Sequence, residues 1–413
     1  MRPQAPPSVP ATPRRILLAD ADAFYVAVAR LADPEGAGRA RLLLVGGSAE
    51  GRGVVTSASY EARAYGVHSA MPMARALRLC PKAMAVPVPW EMCALKSREI
   101  RRVLERFAPV VEQASSDEFY MDLGGTETLY RGEPLAHTAR RIRGAVLTET
   151  GLPVSIGGGT SRLVAKLAAG VAKPGPERPG DGVHVVEPGG EAAFMRRFAL
   201  GDLPGIGPKS AERLRRLGLR TVDDVLPYDP RGLATRLGER EAGWLYRCVR
   251  GIDDTPVEPR TEPKSISRDG TFARDLDAEE DLARELWALV DRATGDLRED
   301  GLLARTVTVK LRDRDFTTRQ ASRTLPEPVL SDRVVYEVAR GLLGKLRAAR
   351  RMPARLLGVA LSGLVREERE LQLSLLPADG GALETERDRT IARTIDTVRE
   401  RFGPHALRRG GAG

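Results

Sequence analysis

The 413-residue chain is poor in the residues that hold disulfide-rich or zinc-bound proteins together. Its three cysteines, Cys80, Cys93 and Cys248, show neither paired nor metal-ligand spacing, so they read as reduced thiols. Four scattered histidines argue against a zinc site. No apolar run approaches the length of a membrane span, and the N-terminus has no signal-peptide core. The reading is a cytoplasmic protein with no membrane partner. Acidic residues are in deficit: 56 Asp and Glu face 65 Lys and Arg, a net charge of +9 that favours a polyanionic partner. The length exceeds what one core supports, so several domains are expected, and no internal repeat is visible.

What is present is organised around two acidic stretches. The apolar run Ile16-Leu17-Leu18-Ala19 ends abruptly in Asp20-Ala21-Asp22. Far downstream, Ser115-Ser116-Asp117-Glu118 opens the strand-like Phe119-Tyr120-Met121-Asp122. Neighbouring carboxylates on a strand point to opposite faces, so Asp117 and Glu118 make sense at a hairpin tip or bulge, where both reach one site. Two adjacent strands delivering carboxylates at one end suit hard divalent cations, the usual means of in-line phosphoryl or nucleotidyl transfer.

Residues 1–13 read as a disordered leader. A helix is expected over 24–31, and a longer one over 91–107 with Leu95, Ile100, Val103, Leu104 and Phe107 inward. Strands over 110–113 and 118–123 flank the acidic tip. A helix over 135–150 leads to a strand over 154–157, a Gly-rich turn over 157–160 and a helix over 161–172. The Pro- and Gly-rich stretch 174–180 marks a domain boundary, followed by helices between 191 and 250 and an extended linker over 251–262. Strands near 265–273, 303–313, 315–325 and 354–363, with helices near 277–298 and 331–349, give a βαββαβ order of the split ferredoxin-like kind. The polar tail after Val365 ends in an amphipathic helix around Ile391, Ile395, Val398 and Phe402.

Several smaller features carry chemistry. Tyr60 and Arg63 are three apart and share a helix face, suited to phosphate oxygens. Lys166 and Lys173 lie two helical turns apart, and either can offer charge to a polyphosphate. Leu203-Pro204-Gly205-Ile206-Gly207-Pro208-Lys209 matches a helix–hairpin–helix turn, whose amides face a DNA phosphate. In 305–312, Val307, Val309 and Leu311 alternate with Thr306, Thr308, Lys310 and Arg312. Arg314, Arg319 and Arg323, with Ser267 and Arg268, are expected to extend that polar face, which can track a phosphate backbone. Gln372-Leu373-Ser374-Leu375-Leu376 is an apolar island suited to a partner's groove.

Together these stretches resemble a Y-family translesion DNA polymerase of the bacterial DinB type, over roughly residues 14–376. Asp20-Ala21-Asp22-Ala23-Phe24-Tyr25 is similar to the family's first metal motif and Ser115-Ser116-Asp117-Glu118 to its second. Tyr60-Glu61-Ala62-Arg63 with the downstream Gly66-Val67-His68-Ser69-Ala70-Met71-Pro72 resembles the finger motif, and Ala172-Lys173-Pro174 the lysine motif. The resemblance implies an α+β right-hand fold: a ferredoxin-like palm (14–31 and 82–178), small fingers (32–81), a helix–hairpin–helix thumb (179–250), a linker (251–262) and a βαββαβ little finger (263–365). A tail (366–413) would follow, with a clamp-binding peptide at 372–376.

Carried over by position, Asp20, Asp117 and Glu118, with the carbonyl of Ala21, would hold two Mg²⁺ ions, and Tyr60, Arg63 and Lys173 the incoming triphosphate. Tyr25 takes the steric-gate place, and Asp22 a structural one. Gly205, Gly207, Lys209, Ser267, Arg268, Lys310 and Arg312 would contact DNA; Gln372, Leu373, Leu375 and Leu376 would contact a sliding clamp. The implied activity is low-fidelity, template-directed DNA synthesis by a monomer without proofreading. Ala29, Gly158-Gly159, Ser161-Arg162 and Leu376 depart from the family pattern. The competing readings are an inactive accessory subunit that binds DNA and clamp, and a metal-dependent nuclease.

Overall fold

The computed structural model describes residues 13–174, 181–259, 262–367, 383–403 and 406–407, in two units, Met1–Arg260 and Thr261–Gly413. Residues 1–12 of the expected leader and the peptide 372–376 lie outside the described residues. Among those described, no helix is long and apolar enough to cross a membrane.

The first unit begins with β1 (Ile16–Ala21) and α1 (Phe24–Ala32). A small lobe follows: β2 (Leu43–Gly46), β3 (Val55–Ala58), α2 (Tyr60–Arg63), α3 (Met73–Leu79) and β4 (Met84–Val86). The chain returns through α4 (Trp90–Leu104), β5 (Val110–Gln113), β6 (Glu118–Asp122), α5 (Leu135–Thr150), β7 (Val154–Gly159), α6 (Arg162–Ala172) and β8 (Val183–Val185). The large sheet runs β5-β6-β1-β7-β8, which without β8 is the ferredoxin-like order. β1 lies between β6 and β7, antiparallel to both, and a central strand must be apolar on each face. Leu17, Ala19 and Ala21 accordingly pack in one core with residues of α1, α4 and α5, while Ile16 and Leu18 meet Ala165 and Ala169 of α6.

Two expectations are corrected here. The glycine run is strand rather than turn, because β7 continues through Gly159. A Cβ on Gly157 would lie 2.0 Å from the Ala169 amide nitrogen, so the missing side chain lets α6 lie directly on the sheet. In α4, Leu95 is 40 % exposed, and Cys93 and Ser97 take inward places beside Ile100, Val103 and Leu104.

A separate core holds α7 (Glu191–Met195), a 3₁₀ turn (Leu200–Asp202), α8 (Pro208–Arg216), α9 (Val222–Val225), α10 (Pro230–Leu237) and α11 (Glu239–Cys248). Residues 252–259 then run without helix or strand, yet they are pinned to the first unit. Val257 packs with Ile16, Leu18 and Tyr120. Arg14 donates to the carbonyls of Asp253 and Thr255, and Arg162 to that of Pro256.

In the second unit, β9 (Ser265–Leu276), α12 (Glu279–Glu299), β10 (Leu302–Asp313), β11 (Thr318–Val329), α13 (Asp332–Ala349) and β12 (Ala354–Arg366) reproduce the expected βαββαβ sequence. Their sheet order, β11-β10-β12-β9, differs from the ferredoxin-like order, which would place the third strand centrally. That strand, β11, carries Pro326 and Pro328, which lack an N–H to donate and belong at an edge. A last helix, α14 (Glu386–Phe402), buries Ala392 in the core of this unit and half-buries Ile395 and Val398, while Ile391 is 40 % and Phe402 67 % exposed. Ion pairs also tie it down: Asp396 accepts from Arg298 at 2.8 Å, Asp388 from Arg333 at 2.6 Å, and Asp291 from Arg399 at 3.0 Å.

Candidate active site

The register of β1 and β6 sets Asp20 directly opposite Glu118, so both side chains project from the same sheet face. Residues 16 and 18 on that face are apolar under α6, and beyond its cover the alternation turns acidic. Asp117 precedes β6 in the hairpin tip. There Ser115 Oγ accepts from the Asp117 and Glu118 amides at 3.3 and 3.1 Å and donates to Asp117 Oδ1 at 2.6 Å. The Ala21 amide donates to the Asp117 carbonyl at 2.9 Å, tying the two acidic segments together.

Two lysines meet these carboxylates. Lys173 Nζ lies 2.8 Å from Asp20 Oδ2, and Lys166 Nζ contacts both Glu118 oxygens at 2.8 and 2.7 Å. Burial raises the pKa of Asp20, against the opposing pull of Lys173, and the charges of Glu118 and Asp117 add to the rise. Among the described residues no three Asp, Glu, His or Cys side chains converge into a ready-made metal cluster. Each carboxylate is met by a partner of its own: Asp20 by the Lys173 ammonium, Glu118 by that of Lys166, and Asp117 by the Ser115 hydroxyl. The donor set itself, three carboxylates on neighbouring backbone segments, is the oxygen-rich kind that hard cations prefer.

Tyr60 and Arg63 come together on α2, with the Arg63 guanidinium 4.8 Å from the Tyr60 ring centroid. Ser59 caps this helix, accepting from the Ala62 amide, and Arg63 Nε donates to the Ala58 carbonyl at 3.0 Å. The Tyr60 hydroxyl is buried without a hydrogen-bond partner among the described residues. Burial, then the charge of Asp22, pushes its pKa up to about 12. Asp22 is itself buried; one oxygen accepts from Ser155 Oγ at 2.8 Å, and burial raises its pKa despite that bond.

Tyr25 stands at the start of α1, its hydroxyl 3.1 Å from Ser116 Oγ. Sequence reasoning missed Ala23, the N-cap of α1, which adopts left-handed φ 46° and ψ 46° and turns the chain sharply between Asp22 and Tyr25. It also read Lys166 and Lys173 only as charge for a polyphosphate and not as partners of the carboxylates, and it assigned nothing to Trp90, whose ring meets Tyr25 edge-on. No local signal in the sequence marks these contacts.

Gly205 turns with φ +94°, Gly207 caps α8, and Lys209 lies in that helix's first turn. In the second unit the open sheet face carries Ser267, Thr306, Thr308, Lys310 and Arg312, opposite the buried Val307, Val309 and Leu311. Thr306 and Thr308 hydroxyls meet Thr324 and Ser322 at 3.0 and 2.9 Å, and Arg312 donates to Thr318 at 2.8 Å. Arg268 is a correction: one residue past Ser267, it points to the helix side and pairs with Asp296 of α12. Arg319 also leaves the open face, bound to the fully buried Asp313 and the Arg350 carbonyl, and Arg323 shares its parity. Lys310 remains on the face but is met by Asp269 across β12.

Fold and site together define a nucleotidyl-transfer enzyme that works on nucleic acid. Residues 19–170 match the impB/mucB/samB family, residues 263–375 its C-terminal domain, and residues 201–253 a thumb domain described for DNA polymerase-iota. DNA polymerase IV of Halorhodospira halophila is 40 % identical over 360 residues, covering 87 % of this chain and 98 % of that protein. A solved Y-family DNA polymerase chimera of Dbh and Dpo4 superposes with a TM-score of 0.75 at 24 % identity, covering 85 % of this chain and 99 % of its own. An insertion ternary complex of Dbh DNA polymerase gives 0.59 at 25 % identity over the same shares. The chain belongs to the impB/mucB/samB family of Y-family DNA polymerases. Its activity is that of a DNA-directed DNA polymerase of the translesion type.

Proposed function

We propose that nucleotide addition takes place at Asp20, Asp117 and Glu118, with two Mg²⁺ ions held by these carboxylates and the Ala21 carbonyl. The observation that carries this reading is the in-register Asp20–Glu118 pair at the end of two buried strands. Bound there, the cations would supply Lewis acidity for attack of the primer 3′-hydroxyl and departure of pyrophosphate. The chain's own part is placement. Lys173 exchanges Asp20 for the triphosphate, which Tyr60 and Arg63 hold from α2. The Tyr60 hydroxyl, without a partner among the described residues, is a donor waiting for such an acceptor. Tyr25 lies under the sugar and excludes a 2′-hydroxyl. The protein works as a cytoplasmic monomer, without proofreading, and binds a sliding clamp through Gln372, Leu373, Leu375 and Leu376. Single-nucleotide incorporation opposite each of the four template bases tests the reading: the complementary dNTP should enter fastest in every case. Addition indifferent to the template would contradict it.

DNA contacts on the two units make separate predictions. Gly205→Ala forces a side chain into left-handed backbone and to 3.0 Å from Trp244, so primer–template affinity should fall about tenfold by anisotropy. Unchanged affinity would remove the hairpin from the interface. Asp269→Asn frees Lys310, and the slope of log K against log salt should steepen by about one unit. A slope identical to wild type would mean that Lys310 meets no phosphate.

A further inference from the structure

The ring of Tyr25 is held by side chains that the catalytic reading leaves without a task. Its hydroxyl lies 3.1 Å from Ser116 Oγ. Ser116 is fixed in turn by Ser97, whose hydroxyl donates to the Ser116 carbonyl at 2.6 Å and accepts from Gln113 Nε2 at 3.0 Å. From the side, Trp90 meets the ring edge-on, with centroids 6.0 Å apart and planes at 75°. Trp90 opens α4 and is 65 % exposed, so burial does not account for its size.

We infer that Ser116 and Trp90 are positioning residues for sugar discrimination, fixing the Tyr25 ring so that it cannot yield to a 2′-hydroxyl. The inference rests on Tyr25 being the steric gate. A gate that works by repulsion discriminates only as well as its ring resists displacement, since rotation about the side-chain torsions would relieve the clash. A hydrogen bond at the ring's far end and an aromatic edge at its flank both oppose that rotation. Ser116 directly precedes Asp117, so the tip that carries the acidic residues also fixes the gate. The Ser97 bond reaches the Ser116 backbone, leaving its hydroxyl free for Tyr25.

The test measures incorporation efficiency for a dNTP and the matching rNTP in the full chain and its variants. Tyr25→Ala should collapse the dNTP-to-rNTP ratio. Ser116→Ala and Tyr25→Phe should each lower it roughly fivefold, and together no further, because both remove one bond. Ser116→Thr, which keeps a hydroxyl, should restore most of it, and Trp90→Leu should lower the ratio about threefold. If Tyr25→Ala collapses the ratio while Ser116→Ala and Trp90→Leu keep the wild-type value, the positioning role is overturned and the gate stands. If Tyr25→Ala itself keeps wild-type discrimination, the gate falls and the inference with it.

Discussion

Asp20→Asn is expected to slow nucleotide addition at least about a thousandfold while leaving the protein folded. The substitution keeps the side chain's shape and removes only its charge. Asp20 lies near the end of the central strand β1, opposite Glu118, with 14 % of its side chain exposed and Lys173 at 2.8 Å. An amide cannot balance that lysine, and it is a poor ligand for a hard cation. The loss corresponds to about 4 kcal/mol of transition-state stabilisation. Stability should change little, because Lys173 is one-third exposed and water can take the carboxylate's place. Single-turnover extension and a thermal melt on the same preparation separate the two effects. A variant that keeps its melting temperature and extends within tenfold of wild type would remove Asp20 from the reaction.

Arg162→Ala should instead unfold the first unit more readily, by about 3 kcal/mol, for the loss of its charge-assisted bonds to Glu112. Glu112 is 4 % exposed, and both its oxygens accept from the Arg162 guanidinium, which also lies 4.2 Å from the Tyr120 ring centroid. Removing the arginine takes away the guanidinium that meets both Glu112 oxygens and stacks on Tyr120. It also releases Pro256, while the Glu258 amide keeps its bond to Glu112 at 3.1 Å. Melting should fall by more than about 6 °C, and limited proteolysis should cut sooner within 252–259. A fall under about 2 °C with unchanged cleavage would show that the pair contributes little and that Val257, Arg14 and the Glu258 amide hold the segment.

The acidic strands were legible because an apolar run that ends in carboxylates has few other uses, and strand parity fixes which side chains share a face. The same parity could have excluded Arg268, since it neighbours Ser267 and two adjacent residues of a strand cannot both face outward. What drew Arg268 inward is Asp296, on a helix whose docking no local pattern encodes. Gly157-Gly158-Gly159 misled for a related reason. Glycine marks turns, but it also marks places where a helix must touch a strand's backbone, and only the packing of α6 tells the two apart. Arg162 looked like a departure from the family pattern after the glycine run, whereas its partners are Glu112 and Pro256, 50 and 94 residues away in sequence. The contacts around Tyr25 escaped the sequence on the same ground: Ser116 is 91 residues distant. The peptide 372–376 lies outside the described residues, so its reading stands on sequence alone.

Primer extension on a primed template with dNTPs and Mg²⁺, run beside an Asp117→Ala/Glu118→Ala double variant, tests the central claim most directly. Binding of the same primer–template is measured in the same preparations. The expected result is short, distributive extension by the wild type, none by the double variant, and DNA binding by both. Wild-type protein that binds the primer–template but adds no nucleotide would contradict the account and favour an inactive accessory subunit.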